Sequence, residues 1–132
     1  MSSKVTLKEW IEKANNDWTV VKILLASDSY PLDIVCFHCQ QYVEKMLKGL
    51  LCLNEMEIPK THDIRRLIHL TAPFCPELAS LKDEADKLSV CAVISRYPDA
   101  FSVVTKGNMD VILVITRRFA DILLPYLMYD NS

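Results

Sequence analysis

The stretch FHCQQYVEKMLKGLL, Phe37 to Leu51, alternates apolar and polar residues with the period of an α-helix rather than a strand. Phe37, Val43, Met46, Leu47, Leu50 and Leu51 form a broad apolar face, and Gln40, Gln41, Glu44, Lys45 and Lys48 a polar one. Carried outward, the pattern predicts a helix from about Leu32 to Asn54. Glu44 and Lys48 stand at i, i+4 in the favourable order for an ion pair. Gln41, Lys45 and Lys48 fall on one side, at i, i+4 and i+7. Two ammonium groups beside an amide can hold a phosphate. The plainer expectation is a solvated face carrying an internal ion pair.

On either side the chain continues in helical periods. A first helix starts after Thr6, with Glu9 at capping-box spacing, and buries Trp10, Ala14, Trp18, Val21 and Leu25. Beyond a connector with Pro59, Thr61 reads as the cap of a short third helix, with Asp63 in its first turn and Ile64, Leu67 and Ile68 inward. Pro76 suits the first position of a fourth helix, with Leu78, Leu81, Ala85, Leu88 and Ala92 inward and an end before Pro98. The last helix covers about Asn108 to Tyr129, and Pro125 should kink it or weaken its last turn. The expected fold is all-α: one domain over residues 1–132, an antiparallel four-helix up-and-down bundle with one short additional helix.

With 132 residues, half of them hydrophobic and only two glycines, the chain can build a core and does not read as a turn-rich β-sandwich. A net charge of −2 gives no global pull toward nucleic acid or anionic membranes. No uncharged apolar run reaches the roughly 18 residues that span a bilayer, and the N-terminus has no signal-peptide pattern, so a cytoplasmic protein without membrane contact is expected. Five cysteines then read as reduced thiols. Cys36 and Cys39 make a lone C-x-x-C without a second close pair, so small buried side chains are expected there rather than a metal site.

Three further polar segments stand out. In Lys60-Thr61-His62-Asp63, His62 and Asp63 lie at a helix N-terminus, where free N–H groups favour anions, although ordinary capping explains them too. Arg96-Tyr97-Pro98-Asp99 places an arginine beside a rigid X-Pro dipeptide, either a positioned ligand clamp or a helix stop. Arg65, Arg66 and His69 read as solvated charge. There is no glycine-rich phosphate loop, paired-carboxylate arrangement or nucleophile elbow, so no cofactor is expected.

Taken in order, these segments resemble the HEPN domain family (higher eukaryotes and prokaryotes nucleotide-binding). Phe37 to Leu51 is similar to its signature helix, with an aromatic residue, glutamine, Glu-Lys, then lysine and leucines. Lys60-Thr61-His62-Asp63-Ile64 is similar to its Thr-His-Asp segment, Arg96-Tyr97-Pro98-Asp99 to its Arg-Tyr-Pro segment, and Trp10, Asp17 and Trp18 fit its opening helix. The resemblance spans nearly the whole chain. It implies a helical bundle that pairs into a homodimer, a small nucleotidyltransferase as protein partner, and a place in a toxin–antitoxin pair. It also implies metal-independent RNA cleavage where an arginine is followed, after four to six residues, by histidine. Here Arg65, Arg66, Arg96, Arg117 and Arg118 all lack a histidine at that spacing, and after Arg96 the positions hold Phe101, Ser102 and Val103.

The expected function is therefore a binding module with no catalytic residue. It takes a nucleotide or polyphosphate at Gln41, Lys45, Lys48, His62, Asp63, Arg96 and Tyr97, or accompanies a nucleotidyltransferase. A ribonuclease with a degenerate motif, with RNA as partner, and a structural interaction module are the alternatives. If the chain dimerises, an exposed apolar strip on the first, second or last helix should mediate it.

Overall fold

The computed structural model describes residues 5–94 and 104–128. Thr6 caps the first helix, α1 (Leu7–Leu25), through the expected capping box: its hydroxyl accepts from Glu9 N while Glu9 reaches back to the Thr6 N–H. The decisive helix, α2, runs Leu32–Leu53. Its exit is a turn that composition does not announce. Glu55 N–H donates to the Cys52 carbonyl and Met56 N–H to that of Leu51, the paired bonds of a Schellman motif. Glu55 takes the left-handed conformation there, at φ 57°, in a position usually held by glycine.

Helix α3 (Ile64–Thr71) differs from expectation at its start. Asp63 is the cap, accepting from Arg65 N and Arg66 N, while the Thr61 hydroxyl accepts from Asp63 N one step earlier. A carboxylate accepts two orphan N–H groups more readily than a hydroxyl, and that moves the boundary. Pro76 opens a 3₁₀ segment, Pro76–Leu81, rather than the fourth helix itself, which is α4 (Lys82–Ile94). The last helix, α5 (Lys106–Leu127), begins two residues earlier than its composition indicates. Thr105 caps it, and Asn108, read as the first residue, closes the capping box from the third position. Pro125 stays inside the helix, where it removes only a last-turn N–H.

Five helices and no strand occur among the described residues, giving the all-α bundle with a short extra helix. α2 is its centre and packs on α1, α3, α4 and α5. Val43, Leu47, Leu50 and Leu51 of α2 meet Leu67 and Ile68 of α3, Leu88 of α4 and Phe119 and Leu123 of α5 in one continuous core. Gly49 lets α1 lie close to α2, since a Cβ there would stand 3.4 Å from that of Trp10. Cys36 of α2 is joined to Cys91 of α4 by a disulfide with a Cα–Cα separation of 5.4 Å. This departs from the expected reduced thiols. Cys36 and Cys91 are 55 positions apart, and only the packing of α4 on α2 makes them neighbours. No helix among the described residues is long and apolar enough to cross a membrane.

Candidate functional site

The polar face of α2 is not solvated. Gln40 is 0% exposed, Glu44 4% and Lys48 7%, which leaves these groups no choice but to satisfy one another. They do so around the Glu44 carboxylate. Its Oε1 accepts from Gln40 Nε2 at 2.9 Å and lies 2.8 Å from His62 Nδ1, and its Oε2 accepts from Lys48 Nζ at 3.1 Å. Gln41 Nε2 donates to Gln40 Oε1 at 2.7 Å and thus braces the amide that braces the carboxylate. Gln40 Nε2 also donates to the His62 carbonyl at 3.1 Å, so backbone and side chain both tie the α2–α3 connector to α2.

A second carboxylate, Asp17 of α1, organises the adjoining rim. It is buried, and it takes Lys45 Nζ at 2.6 Å on Oδ2 and His38 Nδ1 at 2.8 Å on Oδ1. Trp18, next to Asp17, stacks on Tyr42 with ring centroids 5.1 Å apart and fixes α1 against the same stretch of α2. His38, Gln41, Lys45 and Lys48 follow one another at helical spacing along the shared face. The two clusters are therefore neighbours on α2, one rooted in α1 and the other in the connector to α3.

The expected solvated face is thus corrected to a buried network, and the ion pair of Glu44 with Lys48 belongs to its interior. Both lysines proposed for phosphate are already matched with a carboxylate: Lys45 with Asp17, Lys48 with Glu44. The two carboxylates are matched by two ammoniums. The groups that still face solvent are His62, whose side chain is 53% exposed, and His38 and Lys45, each at 24%. An ammonium carries three donors, so Lys45 retains donors beyond the one given to Asp17. Each imidazole engages its carboxylate through Nδ1, which leaves Nε2 for another partner. Asp63 is engaged as the cap of α3. Arg96 and Tyr97 lie outside the described residues. Arg65 has no part in this centre: its guanidinium grips Asp86 of α4, which pushes the arginine pKa up and that of Asp86 down.

The sequence profile of the HEPN domain matches residues 7–125, nearly the whole chain. The chain belongs to the HEPN domain family. It is similar to “Putative toxin MJ1304” of Methanocaldococcus jannaschii, with 31% identity over 101 residues. That alignment covers 71% of this chain and 64% of the archaeal protein, so the chain spans less than two thirds of its relative. No solved structure matches the chain significantly.

Three members of this HEPN centre escape a reading for ligand donors: Asp17, Gln40 and His38. For Asp17 the signal was present. It lies three residues after Ala14 and four before Val21, inside the apolar stripe of α1, where a carboxylate must have a cationic partner. Gln40 gave no comparable signal, since an amide at the edge of a polar face is equally at home in water.

Proposed function

We propose that this chain is a toxin-type HEPN module that works by binding: it holds a nucleotide phosphate at the exposed rim of its polar centre and pairs with a small nucleotidyltransferase. The family membership and the likeness to a toxin-named relative support the class of function. The observation that carries the ligand reading is the rim itself. Lys45, His38 and His62 are each anchored on a buried carboxylate; toward solvent Lys45 keeps ammonium donors and each imidazole presents its Nε2. Anchoring fixes their positions at little entropic cost on binding. Because the two ammoniums of the centre are already matched by carboxylates, it suits a single phosphate engaged at the rim rather than a polyphosphate stripped of its cations. Gln41 and Lys48 then act from below, holding Glu44 and Gln40 in place. Arg96 and Tyr97 are proposed as further ligand contacts on sequence grounds.

Isothermal titration of the purified chain with AMP and ATP tests this. Binding is expected in the wild type, with at least a tenfold loss in Lys45→Ala and a complete loss when Arg96→Ala is added. A folded wild type that gives no heat at millimolar nucleotide removes the nucleotide half of the proposal. The partner half is tested by co-purification with a nucleotidyltransferase encoded beside the gene, and it fails if the two proteins elute apart.

One observation favours a second reading. Asp17–His38 and Glu44–His62 are carboxylate-held imidazoles, the form in which histidine serves as general acid or base. On this reading RNA is cleaved in the presence of chelator and His62→Ala abolishes cleavage. RNA that stays intact after prolonged incubation with the wild type rules it out.

A further inference from the structure

The Cys36–Cys91 disulfide lies in the wall of an open groove of about 400 Å³ between α4 and α5. Val90, Ile94, Val111 and Ile112 give the groove its apolar sides, and Lys87 and Asn108 its polar ones. The volume falls within the range of small-ligand clefts. Lys87 precedes Cys91 by four residues on α4 and therefore sits on the same face, one turn away. Cys36 and Cys91 are each only 2% exposed, so a small molecule reaches the cross-link only by entering this groove, whose lining also includes Lys87.

We infer that Cys36–Cys91 is a thiol–disulfide exchange site for an anionic low-molecular-weight thiol that enters the groove beside Lys87. The attacking thiolate bonds to Cys91 Sγ and the Cys36–Cys91 bond breaks. Cys36 leaves as a thiolate and takes a proton from water. A second thiol attacks the mixed disulfide on Cys91, releasing the oxidised small-molecule disulfide and a second protein thiol. The protein disulfide is reduced, and two small thiols are oxidised to one disulfide.

The placement of the two cysteines sets this direction. Cys91 lies in the last turn of α4, where the helix C-terminus disfavours a thiolate, so Cys91 is the poorer leaving group and Cys36 the one that departs. Cys39, one turn beyond Cys36 and also buried, is a poor internal competitor. Burial pushes its thiol up to about 11, so almost none of it is thiolate at neutral pH. The external thiol therefore controls the rate.

Opening the bond releases α4 from α2 without removing their apolar contacts. Amide exchange in α4 should rise by roughly tenfold or more, because a cross-link closing a 55-residue separation restrains mainly the opened states.

The test uses the full chain, folded, in millimolar glutathione, with acid quench, alkylation and mass spectrometry. Two new thiols are expected, at Cys36 and Cys91, and in Cys36→Ser, where Cys91 is a thiol, oxidised glutathione should exchange with it to leave a glutathione adduct on Cys91 and release one glutathione. Lys87→Ala should slow the reaction with glutathione roughly threefold but leave that with uncharged 2-mercaptoethanol unchanged. A disulfide that resists millimolar glutathione until the chain is denatured overturns the inference. So does an equal effect of Lys87→Ala on both thiols, a reading that needs no cysteine variant to fold.

Discussion

Glu44 shows how far burial changes the meaning of a side chain. In water its pair with Lys48 at i, i+4 contributes a few tenths of a kcal/mol. At 4% exposure the same carboxylate accepts from Gln40 and Lys48 and is paired with His62, and its removal leaves several buried donors unmatched. Glu44→Ala should therefore lower unfolding free energy by about 3–5 kcal/mol. In denaturant titrations, Glu44→Gln with Lys48→Met should lose much less than the sum of the two single changes, which is the signature of a coupled pair. Additive losses would place both side chains in solvent. Cys39 makes a different use of burial. Its thiol rises from an ordinary 9.0 to about 11, chiefly through desolvation, partly offset by the Thr116 hydroxyl and Arg117. A raised acid pKa favours the neutral form in the folded state. Stability is complete below pH 9 and falls between there and 11, by at most about 3 kcal/mol. Urea midpoints measured across that window should drop in the wild type and drop less in Cys39→Ala.

At the scale of elements, the helices were legible because their signals are local. Thr6 and Glu9 announce α1 and the apolar period announces α2, and both are found where the pattern puts them. The misplacements fall where two local signals compete. Thr61 and Asp63 are both cap residues, and the stronger acceptor won; Thr105 and Asn108 are both plausible starts, and they turned out to be two halves of one capping box. The exit of α2 is different again, because Glu55 carries none of the usual signs of a left-handed turn. That position carries strain that glycine would not have, on the order of 1 kcal/mol. Glu55→Gly should raise the melting temperature by a few degrees, readable by circular dichroism. A lower melting temperature would mean that the Glu55 side chain contributes more than its backbone costs.

Over the whole molecule, sequence order and helix period were enough to reach the bundle and its family, since both depend on pattern along one dimension. The site was only half legible. Gln41, Lys45, Lys48 and His62 lie in one neighbourhood, but their partners Asp17 and Gln40 come together only when α1 and the α2–α3 connector fold onto α2. The cross-link from Cys36 to Cys91 was illegible for the same reason. On the outer surface Val111 and Val114 of α5 and Val90 and Val93 of α4 are exposed apolar side chains. The central claim is that a buried network of matched carboxylates and ammoniums holds Lys45, His38 and His62 at a rim ready for a nucleotide phosphate. The most direct test is a titration of the isotopically labelled chain with AMP, following the imidazole resonances of His38 and His62 by nuclear magnetic resonance. The account predicts saturable shifts at both histidines that vanish in Lys45→Ala, with His69 unmoved. Histidine resonances that stay fixed to millimolar AMP, or shifts that survive Lys45→Ala unchanged, would contradict it.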